Sequence, residues 1–290
     1  MKILLALDSA AASEAIVNEV AARPWPPGSA ARLLHVLDLF TIPAGIPVIG
    51  PESEPTGHPI EPLLKSAAER FSAQGIETLT EIVEGYPPSM IVEYADRWGA
   101  DFIIVGSHGD GDITRFLLGS VAREVVRRAS CSVEIVRPTG RKDGGMKILL
   151  ATDGSESSLQ AAQSIAERPW PAGSEVKVVS VVHLVLSAIE SWPGAPEIIS
   201  RFKKEGTAQA EEAVAAAEKI ISEAELQTTG ATLTGSPKAC IVDEAKEWGA
   251  NLVVVGSHGR RGVTKLFMGG VSEAVAMHAH CSVDVIRTTK

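Results

Sequence analysis

The sequence predicts an α/β protein of two tandem domains, each a doubly wound, five-stranded parallel sheet. Three observations carry this expectation. A chain of 290 residues is long enough for two domains that each bury a core. Its first half recurs in its second: residues 1–30 align without gaps on 146–175 with 15 of 30 positions identical, and 86–109 align on 236–259 with 12 of 24. Within each copy, short β-branched or aliphatic runs alternate with longer helical patterns, as in strands joined by crossover helices.

In the first copy the apolar run Lys2–Leu7 predicts the first strand, and Ser13–Ala22 the helix that follows it. Further strands are expected at Ala31–Leu37, Glu77–Val83, Asp101–Val105 and Cys131–Val136. Helices fall between them at Pro62–Gln74, Ser89–Trp98 and Ser120–Ala129. Strands this apolar argue for a sheet covered on both faces, whose ligands sit beyond the strands' carboxyl ends where the chain order reverses. The Pro/Gly-rich stretch 38–62 is long for a connection, and such loops are usually functional or mobile. The second copy has instead 183–197 and then a much longer helix over 198–225. The offset between copies grows from 145 to 150, so five residues were gained in the middle of the second. The domains are read as 1–138 and 146–290, with the Gly- and charge-rich 139–145 as linker.

A net charge of -9 argues against general attraction to nucleic acid or an anionic membrane, so the expected partner is a small molecule or a protein. Three cysteines far apart, Cys131, Cys240 and Cys281, give neither a disulfide framework nor a metal knuckle, and fit a reducing cytoplasm. "MKILLALD" is too short for the apolar core of a signal peptide, and no run approaches the ~20 residues of a membrane span.

The chemistry concentrates in a glycine loop present twice, "VGSHGDGDITRFLLGS" from Val105 and "VGSHGRRGVTKLFMGG" from Val255. In the first, Gly106 and Gly109 follow a buried strand and Gly119-Ser120 opens a helix, a G-x2-G-x9-G-S spacing. Glycines let backbone approach a ligand and aim successive N–H groups into one concavity, and the helix N-terminus adds unpaired donors and a positive dipole end. The pattern is that of an anion site, most naturally for phosphates. Neither a GxxxxGK[S/T] loop nor a GxGxxG after the first strand is present.

With an aspartate ending the first strand, "VGSHG" ending the fourth and a Cys-Ser-Val strand last, the chain resembles the universal stress protein family in tandem form, over essentially its whole length. The resemblance implies an adenine-nucleotide alpha hydrolase-like, Rossmann-like fold and the binding of ATP or a related adenine nucleotide. In ATP-binding members the first-strand aspartate and a valine after the second strand meet the adenosine, while the loop and its Ser/Thr hold ribose and phosphates. Carried over by position, this nominates Asp8, Val36, Gly106, His108, Gly109, Gly119, Ser120 and Val121 in the first copy. In the second it nominates Asp153, Val181, Gly256, His258, Gly259, Gly269, Gly270 and Val271. The role implied is a stress-response regulator.

Each copy departs from that pattern. Gly270 lacks the hydroxyl of Ser120, which removes a hydrogen bond to a charged oxygen of roughly 1.5–3 kcal/mol. The first loop carries Asp110, Asp112 and Arg115, a net of -1, against Arg260, Arg261 and Lys265, a net of +3, in the second. The two acids either repel a triphosphate, by about 1 kcal/mol each in near-aqueous surroundings, or help hold Mg2+ beside it. The first copy is favoured slightly for its complete motif.

Plainer readings stand beside these. Ser120 could be an N-cap, and Asp8 and Asp153 could cap the helices after them. His108 and His258 have no nucleophile or carboxylate placed to make a triad, so loop packing is favoured over catalysis. For "HAHC" (His278, His280, Cys281), packing at a strand start is favoured over zinc, because Cys131 holds the same place without histidines. Trp25 pairs with Trp170 and Trp98 with Trp248 across the repeat, as helix-end packing would; Trp192 alone is unpaired and is the aromatic to suspect at a lid.

No residue set resembles an efficient phosphoryl-transfer machine, so any ATP hydrolysis is expected to be slow. An interaction scaffold of the same fold that has lost nucleotide binding is the alternative, supported by Gly270 and the acidic loop. An adenylylating enzyme would need a first-strand SGG or a HIGH signature, and "ALDSAAAS" and "ATDGSESS" supply neither. Family members commonly dimerise through their last strands, which implies an intramolecular pseudo-dimer of "CSVEIVRP" and "CSVDVIRT". A homodimer of whole chains, through Ile42–Pro59 and Ser187–Pro196, is left open, and the protein partner stays unnamed.

Overall fold

The computed structural model describes residues 1–8, 11–38, 58–107, 118–138, 144–183, 195–259 and 268–288. Two units divide the chain, Met1–Gly140 and Arg141–Lys290. The first contains β1 (Lys2–Ala6), α1 (Ala11–Ala21), β2 (Ala30–Leu37), α2 (Glu61–Ser72), β3 (Glu77–Glu84), α3 (Pro87–Trp98), β4 (Phe102–Gly106), α4 (Ser120–Arg128) and β5 (Ser132–Val136). Its strands are ordered β3-β2-β1-β4-β5, and each neighbouring pair is parallel.

β1 is central, with Leu5 in register with Leu33 on one side and Ile104 on the other. Ile3, Leu4 and Leu5 are completely buried, so successive side chains of this strand are covered on both faces. On one face Ile16, Val17 and Val20 of α1 and Leu64, Ala67 and Phe71 of α2 close over Ile3, Leu5 and Leu33. The chain passes outward from β1 to β2 and β3, then returns to lay β4 on the other flank of β1. Strand order therefore reverses between β1 and β4, which opens a crevice at their carboxyl ends.

The second unit repeats this with β6 (Lys147–Ala151), α5 (Glu156–Glu167), β7 (Glu175–Val182), α6 (Ala195–Ser222), β8 (Gln227–Thr234), α7 (Pro237–Trp248), β9 (Leu252–Gly256), α8 (Gly270–His278) and β10 (Ser282–Ile286). Its order, β10-β9-β6-β7-β8, reverses between β6 and β9. α6 has 28 residues against 12 in α2; it buries Ala195 at its start and Ala210, Ala213, Val214, Ala217 and Ile221 in its second half.

Two expectations need correction. α3 begins two residues earlier than the expected Ser89, at Pro87, as its counterpart α7 begins at Pro237, because the first turn tolerates proline, whose missing N–H has no acceptor there. The strands are not all apolar: β3, "ETLTEIVE", and β8, "QTTGATLT", are half-exposed and polar. Each is outermost in its order, where one flank has no strand beside it.

The paired tryptophans do close helix ends. Trp25 donates its indole N–H to Val20 O at 3.1 Å and Trp170 to Ile165 O at 2.8 Å, satisfying last-turn carbonyls. Trp98 and Trp248 carry cations over their rings, Arg32 at 5.3 Å and Lys147 at 5.3 Å. After each of them a glycine ends the helix in the left-handed region, Gly99 at φ 69° and Gly249 at φ 71°. Trp192 and the acids Asp110 and Asp112 lie outside the described residues, as do Arg115, Arg260, Arg261 and Lys265.

Candidate functional site

In the first unit a cavity of about 520 Å3 opens at the β1/β4 reversal. Six of the eight residues nominated from sequence line it: Asp8, Val36, Gly106, Gly119, Ser120 and Val121. His108 and Gly109 lie outside the described residues. The remainder of the wall is mostly apolar, with Ile16 of α1, Leu34 of β2 and Ile91 of α3. Asp8, Ser13, Ser107 and Ser120 bring polar groups to this largely apolar wall.

Asp8 follows β1 and is held by Ser13, whose hydroxyl donates to Asp8 Oδ1 at 2.6 Å and accepts the Asp8 N–H at 3.1 Å. Sequence reasoning missed Ser13, though Ser158 stands the same five residues after Asp153. It also missed Pro87 and Ile91, which have no motif and reach the cavity only because α3 crosses the sheet beside β2. At the rim, Tyr86 donates to Glu124 Oε2 at 2.7 Å, and Arg128 donates to Glu124 Oε1 at 2.7 Å. Those two bonds, the tyrosine's first, hold the Glu124 carboxyl below its ordinary value. The same bond to Glu124 pushes the Tyr86 phenol up.

The helix after the loop starts differently from the capping alternative. Gly119 is the N-cap, with φ -58° and ψ 155°, and no side chain caps the helix. Ser120 is the first helical residue; its hydroxyl is exposed on the cavity. The last glycine of each loop is not a free ligand donor either. Gly119 N–H is bonded to Ser107 O at 2.7 Å and Gly269 N–H to Ser257 O at 2.7 Å, while Ser107 and Ser257 donate to Val136 O and Ile286 O. These bonds close the loop on the sheet, so the donors turned outward begin at Ser120 and Val121, and at Gly270 and Val271.

In the second unit Asp153 and the loop meet directly. A Cβ built at Gly259 would lie 2.7 Å from Asp153 Oδ2, so only glycine passes there without a shift. Asp153 Oδ1 accepts the Ser155 N–H at 3.0 Å, and Ser155, not Asp153, caps α5. Gly256 has a different reason to be glycine. A Cβ there would lie 2.6 Å from the Ser157 carbonyl carbon, so its absence admits the first turn of α5. His258 is tied into the same packing: its N–H donates to Ser157 Oγ at 3.3 Å, its carbonyl accepts from Ser155 Oγ at 3.4 Å, and Nδ1 meets Ser257 Oγ at 2.8 Å. Val181 lies in β7 at the position Val36 holds in β2. Among the described residues a Cβ at Gly270 would meet only Lys238, at 3.6 Å from Nζ, which is ordinary contact.

Two α/β units, each with a glycine loop closed on its sheet beside a strand-end aspartate, define a tandem doubly wound, parallel-sheet protein. The universal stress protein family model matches residues 1–137 and 146–287, and the chain belongs to that family. It is 28% identical over 293 residues to a universal stress protein of Mycolicibacterium smegmatis, covering 98% of this chain and 96% of that protein. A universal stress protein of Methanocaldococcus jannaschii is 33% identical over 148 residues, 50% of this chain and 83% of its own. Among solved structures, a universal stress protein from Archaeoglobus fulgidus superposes with a TM-score of 0.62 at 19% identity, covering 100% of this chain and 97% of that one. At that identity the likeness concerns the fold. No helix among the described residues is long and apolar enough to cross a membrane.

Proposed function

We propose that this tandem universal stress protein binds an adenine nucleotide, ATP or a relative of it, and acts as a regulator rather than as an efficient catalyst. The observation that carries the reading is the 520 Å3 cavity at the β1/β4 reversal, lined by Asp8 and Val36, by the helix start at Ser120 and Val121, and by apolar side chains. Its volume is that of a small-molecule site. A base fits the apolar middle against Val36, Ile91 and Leu34; Asp8, already fixed by Ser13, accepts from hydroxyl or amino groups of the nucleoside. Phosphates belong at the outward N–H groups and hydroxyl of Ser120, where the dipole of α4 favours negative charge.

In this reading Asp153, Val181, His258, Gly259, Gly270 and Val271 form the corresponding site of the second unit. The test is calorimetric titration of the full chain with ATP, alongside mass spectrometry of whatever ligand is released on denaturing fresh protein. Binding that falls sharply in Gly119→Val supports the site. Undiminished binding in that variant would remove the first unit from it.

A further inference from the structure

We infer that Lys238 is the phosphate-contacting side chain of the second unit, taking the place of the hydroxyl that Gly270 lacks. The inference rests on the nucleotide-binding reading above and adds to it a residue outside the glycine motif. Lys238 is the second residue of α7, a helix packed against α8. Its Nζ lies 3.6 Å, and its Cε 3.8 Å, from the point where a Cβ on Gly270 would stand. In the first unit that Cβ belongs to Ser120, and the residue at the position of Lys238 is Pro88, which is buried and has no donor. Two replacements therefore meet at one point in space although they are 32 positions apart by residue number: the hydroxyl disappears from one helix and an ammonium arrives from the next.

The ammonium has a reason to accept an anion. It is exposed, and it has no carboxylate or hydrogen-bond partner among the described residues. It stands beside the first turn of α8, whose N–H groups at Gly270 and Val271 face outward. The first turn of α8 also carries the acid Glu273, so Lys238 is the cation placed at that turn by the described residues. A lysine is a point charge on a flexible stem, suited to a phosphate chain whose oxygens it need not meet in one fixed geometry.

The experiment is acetylation footprinting of the full chain, with Lys238 and Lys246, an exposed lysine at the far end of the same helix, followed by mass spectrometry. ATP and inorganic tripolyphosphate should each slow acetylation of Lys238 several-fold and leave Lys246 unchanged, while adenosine should protect neither. In calorimetry, Lys238→Ala should weaken one class of ATP site by roughly ten- to a hundredfold, the range for a charge-assisted hydrogen bond, and Lys238→Arg should restore most of it. If ATP binds the chain and Lys238 is acetylated at an unchanged rate, the inference falls and the nucleotide reading stands. If the wild-type chain binds no ATP, both fall.

Discussion

Arg168 donates from Nη2 to Asp284 Oδ2 at 2.6 Å, with the two side chains 5% and 0% exposed. The first unit has the same arrangement between Arg23 and Glu134, so in each copy the arginine after the first helix reaches a carboxylate on the last strand. Removing one partner leaves a buried charge uncompensated. Asp284→Ala should cost about 3–5 kcal/mol, and a double change of Arg168→Met with Asp284→Leu should recover much of that. Denaturant unfolding of both variants decides; equal losses would mean that packing, not charge, governs the position.

Gly256 and Gly259 should respond differently to the same substitution. Gly256→Ala drives a methyl into the backbone of Ser157, which cannot yield cheaply, and should lower stability by about 1–3 kcal/mol. Gly259→Ala presses on the Asp153 carboxylate, a movable side-chain end. It should alter ATP binding to the second unit more than it alters melting. Melting curves with and without ATP separate the two.

Space at Gly270 permits the reverse of the divergence. Gly270→Ser meets only ordinary contact from Lys238, and serine is a better helix residue than glycine, so stability should rise by about 0.5 kcal/mol. Ser120→Ala in the first unit should weaken ATP binding there by roughly tenfold or more, through loss of the hydroxyl. Thermal unfolding and calorimetry check the pair.

Charge on the first loop is tested by Asp110→Arg with Asp112→Arg, which copies Arg260 and Arg261. Metal-free ATP should bind more tightly, with a gain that shrinks as salt rises. Weakening confined to Mg-ATP would instead make the acids metal holders.

The clasp at the cavity rim predicts a pH effect. Tyr86 has its phenol raised by the bond to Glu124, so what that bond contributes to stability is fully present below the phenol's ordinary value near 10 and is lost as pH rises through the folded one. In Glu124→Leu, phenolate absorbance should show one of the two tyrosines ionising nearer its ordinary value. Tyr94, raised first by burial and then by Glu81, should be unmoved.

The two glycine loops, the strand-end aspartates and the alternation of elements were legible because they are local: each follows from periodicity, spacing or the comparison of one copy with the other. β1 reads as a buried strand because Ile3, Leu4 and Leu5 are apolar without alternation. The polarity of β3 was equally visible, yet only its outermost place in the strand order explains it. Tertiary structure alone decided which glycine leaves room for the strand-end carboxylate and which for a helix, since Gly256 and Gly259 are chemically identical and differ in what faces their missing Cβ. It also decided that Ser13 holds Asp8, that Pro87 and Ile91 wall the cavity, and that Lys238 stands at Gly270. Those pairs are set by how helices cross the sheet, and a crossing brings together residues whose separation along the chain carries no sign of their contact.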